Sequence, residues 1–403
     1  MTPRVRHQLP AFSPIPAAAI FDAATARVAH GRAEIEQASV LLRDYFTADD
    51  LLLVDSGRSA LQLAIRTALA EYPGEGNHVA LPAYSCFEVA TAAVGAEARI
   101  SLYDVDPLTL APRLDSLEDA LRAGARAVIV APLYGMPVDW DAAASLAQQY
   151  DAVAIEDAAQ SHGAQWRGAR LGSLGALSVL SFGRGKGWTG GGGGALLARS
   201  PNGKSSIAGA RVIAPVVGSR ELKLVATALV QWLIGRPSVY GIPASIPSLG
   251  LGETHYHDPG PITGIAPFSA ALLRRTLSSA RHEVESRRAA ANRWMTDLVA
   301  GARAAIPSVV RGGEAGYMRL PMLIPTDRGA PARNELARKV GMVASYPKTL
   351  AELPAVRQRL VSPERSYPGA ERLSREVVTL PTHSRLDERD RATILEVLAR
   401  VFS

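Results

Sequence analysis

The first half of the chain alternates short apolar runs with segments in which apolar residues recur every three or four positions. Short runs that are apolar throughout are typical of strands buried on both faces, and the longer spacing is typical of amphipathic helices. Alternation of the two indicates an α/β fold with a mostly parallel sheet between layers of helices. The predicted helices are 59–72, 87–94, 114–123 and 141–150, and the predicted strands are 78–81, 99–103, 127–131, 152–155, 177–182 and 194–198.

The pattern changes after about residue 200. The stretch 237–261 is rich in Pro, Gly, Tyr and His, which indicates a long loop or lid. The other predicted elements are a helix over 219–236, one long helix or two over 266–302, a strand over 317–324, a helix over 332–340, a strand over 377–380 and a helix over 387–402. We therefore expect a large domain, 1–262, and a smaller α+β domain, 263–403, that begins with the long helix.

Composition narrows the class of protein. The 403 residues are 47% hydrophobic and 20% charged, as expected of a globular chain long enough for two domains. The net charge of +6 is spread along the sequence, so we expect no nucleic-acid partner. The most apolar helical stretch, 222–234, is shorter than the roughly 20 residues that span a bilayer, so we expect no membrane insertion. Cys86 is the only cysteine, and no signal peptide is recognisable, so we expect a cytoplasmic protein.

Lysine is rare in this chain, and one lysine stands in an unusual place. Lys186 follows the apolar run that ends at Phe182 and is surrounded by glycines, five of which form the run Gly190 to Gly194. A primary amine at the end of a buried strand can lose its proton and form a Schiff base with an aldehyde, which arginine cannot do. Lys186 is therefore a candidate catalytic residue. The five lysines are Lys186, Lys204, Lys223, Lys339 and Lys348.

A second apolar strand ends in the carboxylates Glu156 and Asp157, about thirty residues before Lys186. A carboxylate at the tip of a strand can hold a ring nitrogen in its protonated state. Pyridoxal phosphate requires such a partner, because its pyridinium ring acts as the electron sink. An Asp followed by a Lys, each at a strand end, is the pattern of fold-type I pyridoxal-phosphate enzymes. The alternative is that the two carboxylates only cap a following helix.

Donors for a phosphate group are present in two segments. Ser56 and Gly57 come just before a predicted helix, where backbone N–H groups and the helix dipole favour an anion. The alternative is a plain N-cap at Ser59. Ser181 lies five residues before Lys186 and could add a hydroxyl, or could be an ordinary strand residue.

Together these motifs resemble the DegT/DnrJ/EryC1/StrS family of pyridoxal-phosphate aminotransferases, best known for aminating nucleotide-linked keto-sugars. The matching blocks run in the family's order and cover most of the chain. They are SGRSAL at 56–61, LPAYSC at 81–86, PLYG at 132–135, EDAAQSHGA at 156–164, SF at 181–182 with Lys186, and LPTH at 380–383.

The resemblance implies a fold-type I enzyme that works as a homodimer with a shared site, takes an amino group from a donor such as glutamate, and passes it to a keto acceptor. Lys186 would bind the cofactor aldehyde and move the proton, and Asp157 would hold the pyridine nitrogen. Gln160 would lie near the phenolic oxygen. Ser181, with the Gly57–Arg58 backbone next to Ser56, would bind the phosphate. We expect no metal.

The chain departs from the family's pattern in several places. Arg58 replaces the usual small hydroxyl residue and could face the phosphate, the solvent or a substrate anion. The aromatic residue that usually stacks on the cofactor has three candidates here, Tyr84, Cys86 and Phe87. Cys86 also suggests sulfur transfer, although a small buried apolar residue is the simpler interpretation. The 183–194 loop is unusually rich in glycine, and the family's His-Gly and Gly-Asn-Tyr-Arg segments are not recognisable between 200 and 270.

Other functions remain open at this stage. The same cofactor could serve a lyase, a dehydratase or carbon–carbon chemistry on a non-sugar substrate, and a non-catalytic regulator is a third possibility.

A nicotinamide site is disfavoured because Gly190 to Gly194 precedes a strand rather than opening a helix. His255 and His257 form a close pair without a third ligand at metal-site spacing. His162 is expected to be a positioned polar residue rather than a general base.

Overall fold

The computed structural model describes residues 6–71, 76–199, 207, 210, 218–244, 254–299, 305–325 and 334–402. Parts of the segments predicted around 200–261 and 332–340 lie outside these ranges. The helices are α1 (Ala17–Phe46), α2 (Gly57–Glu71), α3 (Phe87–Gly95), α4 (Leu114–Arg122), α5 (Trp140–Gln149), α6 (Gly218–Ile234), α7 (Pro237–Ala244), α8 (Pro267–Val299), α9 (Glu335–Lys339), α10 (Pro354–Arg357), α11 (Pro368–Glu376) and α12 (Glu388–Phe402).

A seven-stranded sheet forms the centre of the molecule, with the strand order β1-β9-β8-β5-β4-β2-β3. The neighbours from β8 to β3 are parallel, whereas β9 runs antiparallel to both β1 and β8. The predicted α/β class with a mostly parallel mixed sheet is therefore confirmed. The strands of this sheet are β1 (Asp50–Val54), β2 (His78–Pro82), β3 (Arg99–Tyr103), β4 (Ala127–Val130), β5 (Val153–Asp157), β8 (Leu177–Ser181) and β9 (Gly194–Ala198).

Two small sheets lie outside the central one. One has three strands in the order β10-β6-β7, and the other pairs β11 with β12 in antiparallel orientation. Their short strands carry little periodic signal, so the sequence pattern did not predict β6, β7 or β10. The strands are β6 (Gln165–Trp166), β7 (Ala169–Arg170), β10 (Gly313–Glu314), β11 (Leu320–Leu323) and β12 (Val377–Leu380).

The helix α8 connects the central sheet to the C-terminal part of the chain. Leu273, in its first half, packs with Leu53 and Phe182 of the sheet layer. Trp294, in its second half, packs with Leu320 and other residues of the β11–β12 region, and its indole N–H donates to the carbonyl of Pro381 at 2.9 Å. One continuous helix thus contributes to both hydrophobic cores. The division at residue 262 stays a prediction.

Two predictions of secondary structure need correction. The stretch 237–261 does not begin as a loop, because Pro237–Ala244 is helical, with proline at the first position where its missing N–H costs nothing. The long helix α1 was not predicted, because its many alanine and charged residues weaken the periodic pattern of large apolar side chains. Its face nevertheless packs along α8, where the buried Glu34 binds Arg274 and Arg275.

Candidate active site

A cavity of about 280 Å³ lies at the carboxyl ends of the parallel strands, where ligands bind in sheets of this type. The predicted site residues converge on it from separate parts of the chain, with the exception of Tyr84. The lining residues are Ser56, Gly57, Arg58, Leu61, Ser85, Cys86, Glu88, Val89, Ala131, Pro132, Leu133, Asp157, Ala159, Gln160, Ser181 and Lys186.

The N-terminus of α2 forms one end of this cavity. The hydroxyl of Ser56 accepts a hydrogen bond from the N–H of Ser59 at 3.1 Å and contacts the Ser59 hydroxyl at 2.8 Å. Ser56 therefore caps the helix, which begins at Gly57, two residues earlier than the periodicity predicts. The alternative of a cap at Ser59 is wrong. The free N–H groups and the positive end of the helix dipole make this end of the cavity suitable for an anion.

Glycines allow the surrounding segments to approach each other closely. A side chain at Gly57 would place its Cβ 2.5 Å from the Cβ of Ser181, and one at Gly194 would place it 2.4 Å from the carbonyl of Ser56. Gly193 has φ near +106°, in the region that L residues rarely adopt. The unusual glycine run thus has a structural reason, because it lets β9 and its preceding turn pass directly behind the anion-binding end.

The loop that carries Lys186 is held by its neighbours. Gly185 and Gly187 flank the lysine with φ of +76° and +78°, and the N–H of Gly185 donates to the Ser13 hydroxyl at 3.0 Å. The indole of Trp188 is buried and donates to the carbonyl of Leu273 at 2.9 Å. The loop therefore turns tightly at Lys186 and is anchored in the core two residues later, at Trp188. This anchoring limits the positions that the Lys186 amine can reach.

The two carboxylates at the end of β5 have different surroundings. Glu156 is fully buried and accepts hydrogen bonds from the N–H groups of Leu174 and Gly175 at 2.9 and 3.2 Å and from the Ser178 hydroxyl at 2.8 Å. These bonds hold the turn between β7 and β8. Asp157 faces the cavity instead, and among the described residues its side chain accepts one hydrogen bond, from the N–H of Ala159 at 3.1 Å.

The protonation of Asp157 depends on what lies in the cavity. Burial raises the pKa of this carboxyl, whereas the hydrogen bond from Ala159 and the charge of Lys186 lower it. A buried carboxylate with free acceptor capacity requires a cation to stay ionised. A protonated ring nitrogen in the cavity would supply that cation.

Gln160 links the cavity to a group of tyrosines. Its side-chain N–H donates to the hydroxyl of Tyr346 at 2.8 Å, and its side-chain oxygen accepts from the N–H of Tyr134 at 3.3 Å. Tyr134 has φ near +57°, a strained value for a tyrosine. Tyr346 was not predicted as a site residue, because it lies 186 residues from Gln160 in the sequence and belongs to no recognisable motif.

Of the three candidates for the face of a bound ring, only Cys86 lines the cavity. Tyr84 is buried away from it, with its hydroxyl 3.1 Å from that of Tyr134, because its side chain points from the strand end into the tyrosine group. Burial raises the pKa of the Cys86 thiol and the charge of Lys186 opposes the rise. A protonated thiol is a poor nucleophile, so the structure does not support sulfur transfer by Cys86.

Arg58 lies on the cavity wall, where it forms an ion pair with Glu88 at 3.4 Å.

His162 lies behind the site rather than in it. Its ring packs against Trp188 with 5.6 Å between centroids, and it does not line the cavity of Asp157. Burial, together with the charge of Arg287, lowers its pKa to about 3. A histidine that is neutral over the physiological range cannot serve as a proton donor there, which agrees with a positional role.

The low pKa of His162 predicts a measurable effect of acid on stability. Between the ordinary value of 6.5 and about 3, the unfolded chain binds a proton that the folded chain excludes, so the free energy of unfolding falls as pH falls. We expect His162→Gln to reduce that slope by about 1.4 kcal/mol per pH unit in denaturant titrations below pH 6.5. Replacement of the exposed His282 by Gln is the control. An unchanged slope in the His162 variant would contradict the interpretation.

No metal centre or membrane span was found in the described part of the chain. Within the ranges given above, no group of three His, Cys, Asp or Glu side chains could hold a metal ion. Over the same ranges, no helix combines the length and the apolar character that a bilayer crossing requires. The segment with the paired histidines His255 and His257 contacts α3 through its backbone: the carbonyl of His257 accepts a hydrogen bond from the Thr91 hydroxyl at 2.8 Å.

The fold and the cavity define the class of protein. A mostly parallel mixed sheet with a lysine, a carboxylate and a helix N-terminus at the carboxyl ends of its strands is the arrangement of fold-type I pyridoxal-phosphate transferases. The structure of the sugar aminotransferase CalS13 from Micromonospora echinospora has the same fold, with a TM-score of 0.73, 21% identity, and coverage of 97% of this chain and 98% of that one.

The chain belongs to the DegT/DnrJ/EryC1/StrS aminotransferase family, whose model matches residues 27–399. Membership of this family implies dependence on pyridoxal phosphate.

Two relatives show how far the similarity extends. A dTDP-3-amino-3,4,6-trideoxy-alpha-D-glucose transaminase from Streptomyces venezuelae is 38% identical over 172 residues, which are 41% of this chain and 44% of that protein. An L-glutamine:2-deoxy-scyllo-inosose aminotransferase from Micromonospora echinospora is 29% identical over 86% of this chain and 81% of that protein. The matched regions span only 34% to 44% of the length of three of the curated relatives.

Proposed function

We propose that this chain is a pyridoxal-phosphate aminotransferase that transfers an amino group from an amino acid, glutamate by family resemblance, to a keto group of a sugar-like acceptor. The observation that carries the proposal is that Lys186 and Asp157 line one cavity beside the N-terminus of α2. An amine, a carboxylate and an anion site are the three groups that this cofactor requires.

The residues of the cavity fit the cofactor. Ser56, Ser181 and the first N–H groups of α2 could hold its phosphate, and the close contact at Gly57 keeps that end free of side chains. Asp157, buried and with unused acceptor capacity, could hold the ring nitrogen. Cys86 would contribute a small surface beside the ring in place of the family's usual aromatic residue.

Pyridoxal phosphate, when bound, supplies an aldehyde that links to amines and a ring that accepts the electrons of an adjacent C–H bond. In this proposal the Nζ atom of Lys186 would hold the aldehyde in the resting enzyme. Once the donor has displaced it, the same Nζ would take the proton from the donor's Cα and deliver it to the carbon that had carried the aldehyde. Asp157 would keep the ring nitrogen protonated, and Gln160, held by Tyr134 and Tyr346, would help to orient the ring.

The relatives support the choice of acceptor. One is named for 2-deoxy-scyllo-inosose and the other for a dTDP-linked sugar, so a hydroxyl-rich ring compound is the substrate class that we propose here. Whether the acceptor carries a nucleotide depends on regions around 200–261 that differ from the family's pattern.

The proposal includes a homodimer in the cytoplasm. Exposed apolar side chains lie along one face of α6, among them Leu222, Val230 and Leu233. The same helix contributes Gln231 and Ile234 to a cavity next to Lys186. A second copy of the chain that covered the apolar face would therefore lie close to the site, as the family resemblance implies.

A half-reaction separates this function from the lyase alternative. We expect the purified holoenzyme, given L-glutamate and no acceptor, to lose the visible absorbance of the aldehyde form and to release stoichiometric 2-oxoglutarate. Addition of 2-oxoglutarate should restore the absorbance, and D-glutamate is the control. If no L-amino acid causes the change, the transaminase proposal fails, and a lyase or a non-catalytic protein replaces it.

A further inference from the structure

A second cavity of about 270 Å³ adjoins the first one. Lys186 and Gln160 line both cavities, so a molecule in the second cavity can reach the groups in the first. The walls of the second cavity come from residues 9–13 of the N-terminal segment, the loop that carries Lys186, the end of α6, and the region of β11. We call it the substrate cavity, a name that rests on the proposed function.

The substrate cavity carries positive charge. Its lining includes Arg184, Arg319 and Lys186, and no aspartate or glutamate is among the residues that line it. In the described ranges no carboxylate forms an ion pair with Arg184 or Arg319, although many other arginines are paired, such as Arg391 with Asp297. Two guanidinium groups without a carboxylate partner around one cavity leave it suited to an anionic ligand.

Arg319 lines the substrate cavity together with Gln160 and Lys186, the two residues that also line the first cavity. Tyr134 and Tyr346 line the same cavity as Arg319, and the charge of Arg319 opposes the rise in pKa that burial produces at both phenols. Both tyrosines are hydrogen-bonded to Gln160, which belongs to both cavities. The side chain of Arg319 is only partly exposed. It is therefore close to the position where a reacting carbon would lie.

Arg184 lies further out. Its side chain is exposed, and it lies near Tyr240, whose pKa is raised by burial against the charges of Arg184 and Arg319. Tyr240 lies in α7 and lines the substrate cavity but not the cavity of Asp157. Two arginines at an inner and an outer position match a ligand with two separated carboxylates, since guanidinium binds carboxylate through paired hydrogen bonds.

We propose that Arg319 and Arg184 bind the two carboxylates of a dicarboxylic amino donor, Arg319 the one next to the reacting carbon and Arg184 the distal one. The donor is then glutamate rather than glutamine, because the neutral amide of glutamine leaves Arg184 unpaired. This differs from the relatives whose names contain L-glutamine.

The proposal is tested by the rate of the half-reaction with each donor. For Arg184→Gln we expect kcat/KM for glutamate to fall about 10- to 100-fold, the value of one charged hydrogen-bond pair, with little change for glutamine. For Arg319→Gln we expect a similar fall with both donors. Replacement of Arg32, which is exposed on α1, by Gln is the control. Melting temperature and bound-cofactor absorbance show that the variants are folded.

Binding of glutarate to the holoenzyme, measured by calorimetry, gives a second readout that needs no turnover. We expect each arginine variant to weaken glutarate about 10- to 100-fold. Equal use of glutamine and glutamate by the unaltered enzyme, or unchanged glutarate affinity in both variants, would overturn the proposal. Tighter binding of inorganic phosphate than of glutarate would also overturn it, by assigning the pair to an acceptor phosphate. If the half-reaction fails with every donor while glutarate still requires both arginines, only the transaminase function is lost.

Discussion

Lys186→Ala should lose the visible absorbance of the lysine-linked cofactor and all measurable turnover. The loop around Lys186 is fixed by Gly185, Gly187 and Trp188, and alanine fits the same backbone without strain. The variant should therefore fold normally and still contain a cavity for the phosphate and the ring. What it lacks is the only amine that lines that cavity among the described residues. The loss should therefore be chemical rather than structural.

The measurements are the absorbance spectrum after reconstitution and the rate of the glutamate half-reaction. Removal of a nucleophile that also carries the proton costs several orders of magnitude in rate, and we expect at least about 10⁴-fold. Lys348→Ala is the matched control, because Lys348 is exposed and lines neither cavity. Retained absorbance together with turnover in the Lys186 variant would remove Lys186 from the site.

Replacing each of the two neighbouring carboxylates by its amide should give opposite results. Asp157→Asn should lower kcat by about 10²- to 10³-fold, the usual cost of removing one electrostatic group from a reacting centre. Its melting temperature should change little, because Asp157 has one hydrogen bond from Ala159 that an amide oxygen can also accept. The ring nitrogen of the cofactor would lose the charge that holds its proton.

Glu156→Gln should instead destabilise the protein and leave the chemistry intact. The Oε2 atom of Glu156 accepts bonds from Leu174, Gly175 and Ser178, and its Oε1 atom accepts one from the N–H of Gly172. An amide has an acceptor oxygen at only one of these two ends, so its NH₂ group would face donors at the other. We expect a loss of about 1–3 kcal/mol in the free energy of unfolding, the cost of buried polar groups left without partners. Thermal unfolding and kcat should be measured for both variants. A fall in kcat for Glu156→Gln as large as for Asp157→Asn would mean that the division between them is wrong.

The sequence predicted six of the seven strands of the central sheet, all except β1 (Asp50–Val54), because most of the signals there are local. Buried strands are short apolar runs. Ser56 and Gly57, which come just before a helix, indicate the anion-binding end of the cavity. The residues Lys186, Asp157 and Ser181 each follow or end a strand, so parallel strands bring them to one edge whatever the connecting loops do. The resemblance to a known family then supplied their expected roles.

The substrate cavity could not be predicted in the same way. Arg319, Tyr346 and residues 9–13 come from distant parts of the chain and meet only after the C-terminal region folds against the sheet. None of them belongs to a local motif that indicates a binding site. Tyr84 does not line the cavity of Asp157 although its neighbours in the sequence do, because its side chain points into the tyrosine group.

The site also depends on the pairing of β5 with its neighbours. Glu156 lies opposite Val130 of β4, and Asp157 lies opposite Val179 of β8. Since successive side chains of a strand point to opposite faces, a shift of one residue in this pairing would exchange the two carboxylates. The structural carboxylate would then face the cofactor and the functional one would face the β7–β8 turn. The pairing register of β5 therefore decides which of the two neighbouring carboxylates, Glu156 or Asp157, faces the cavity.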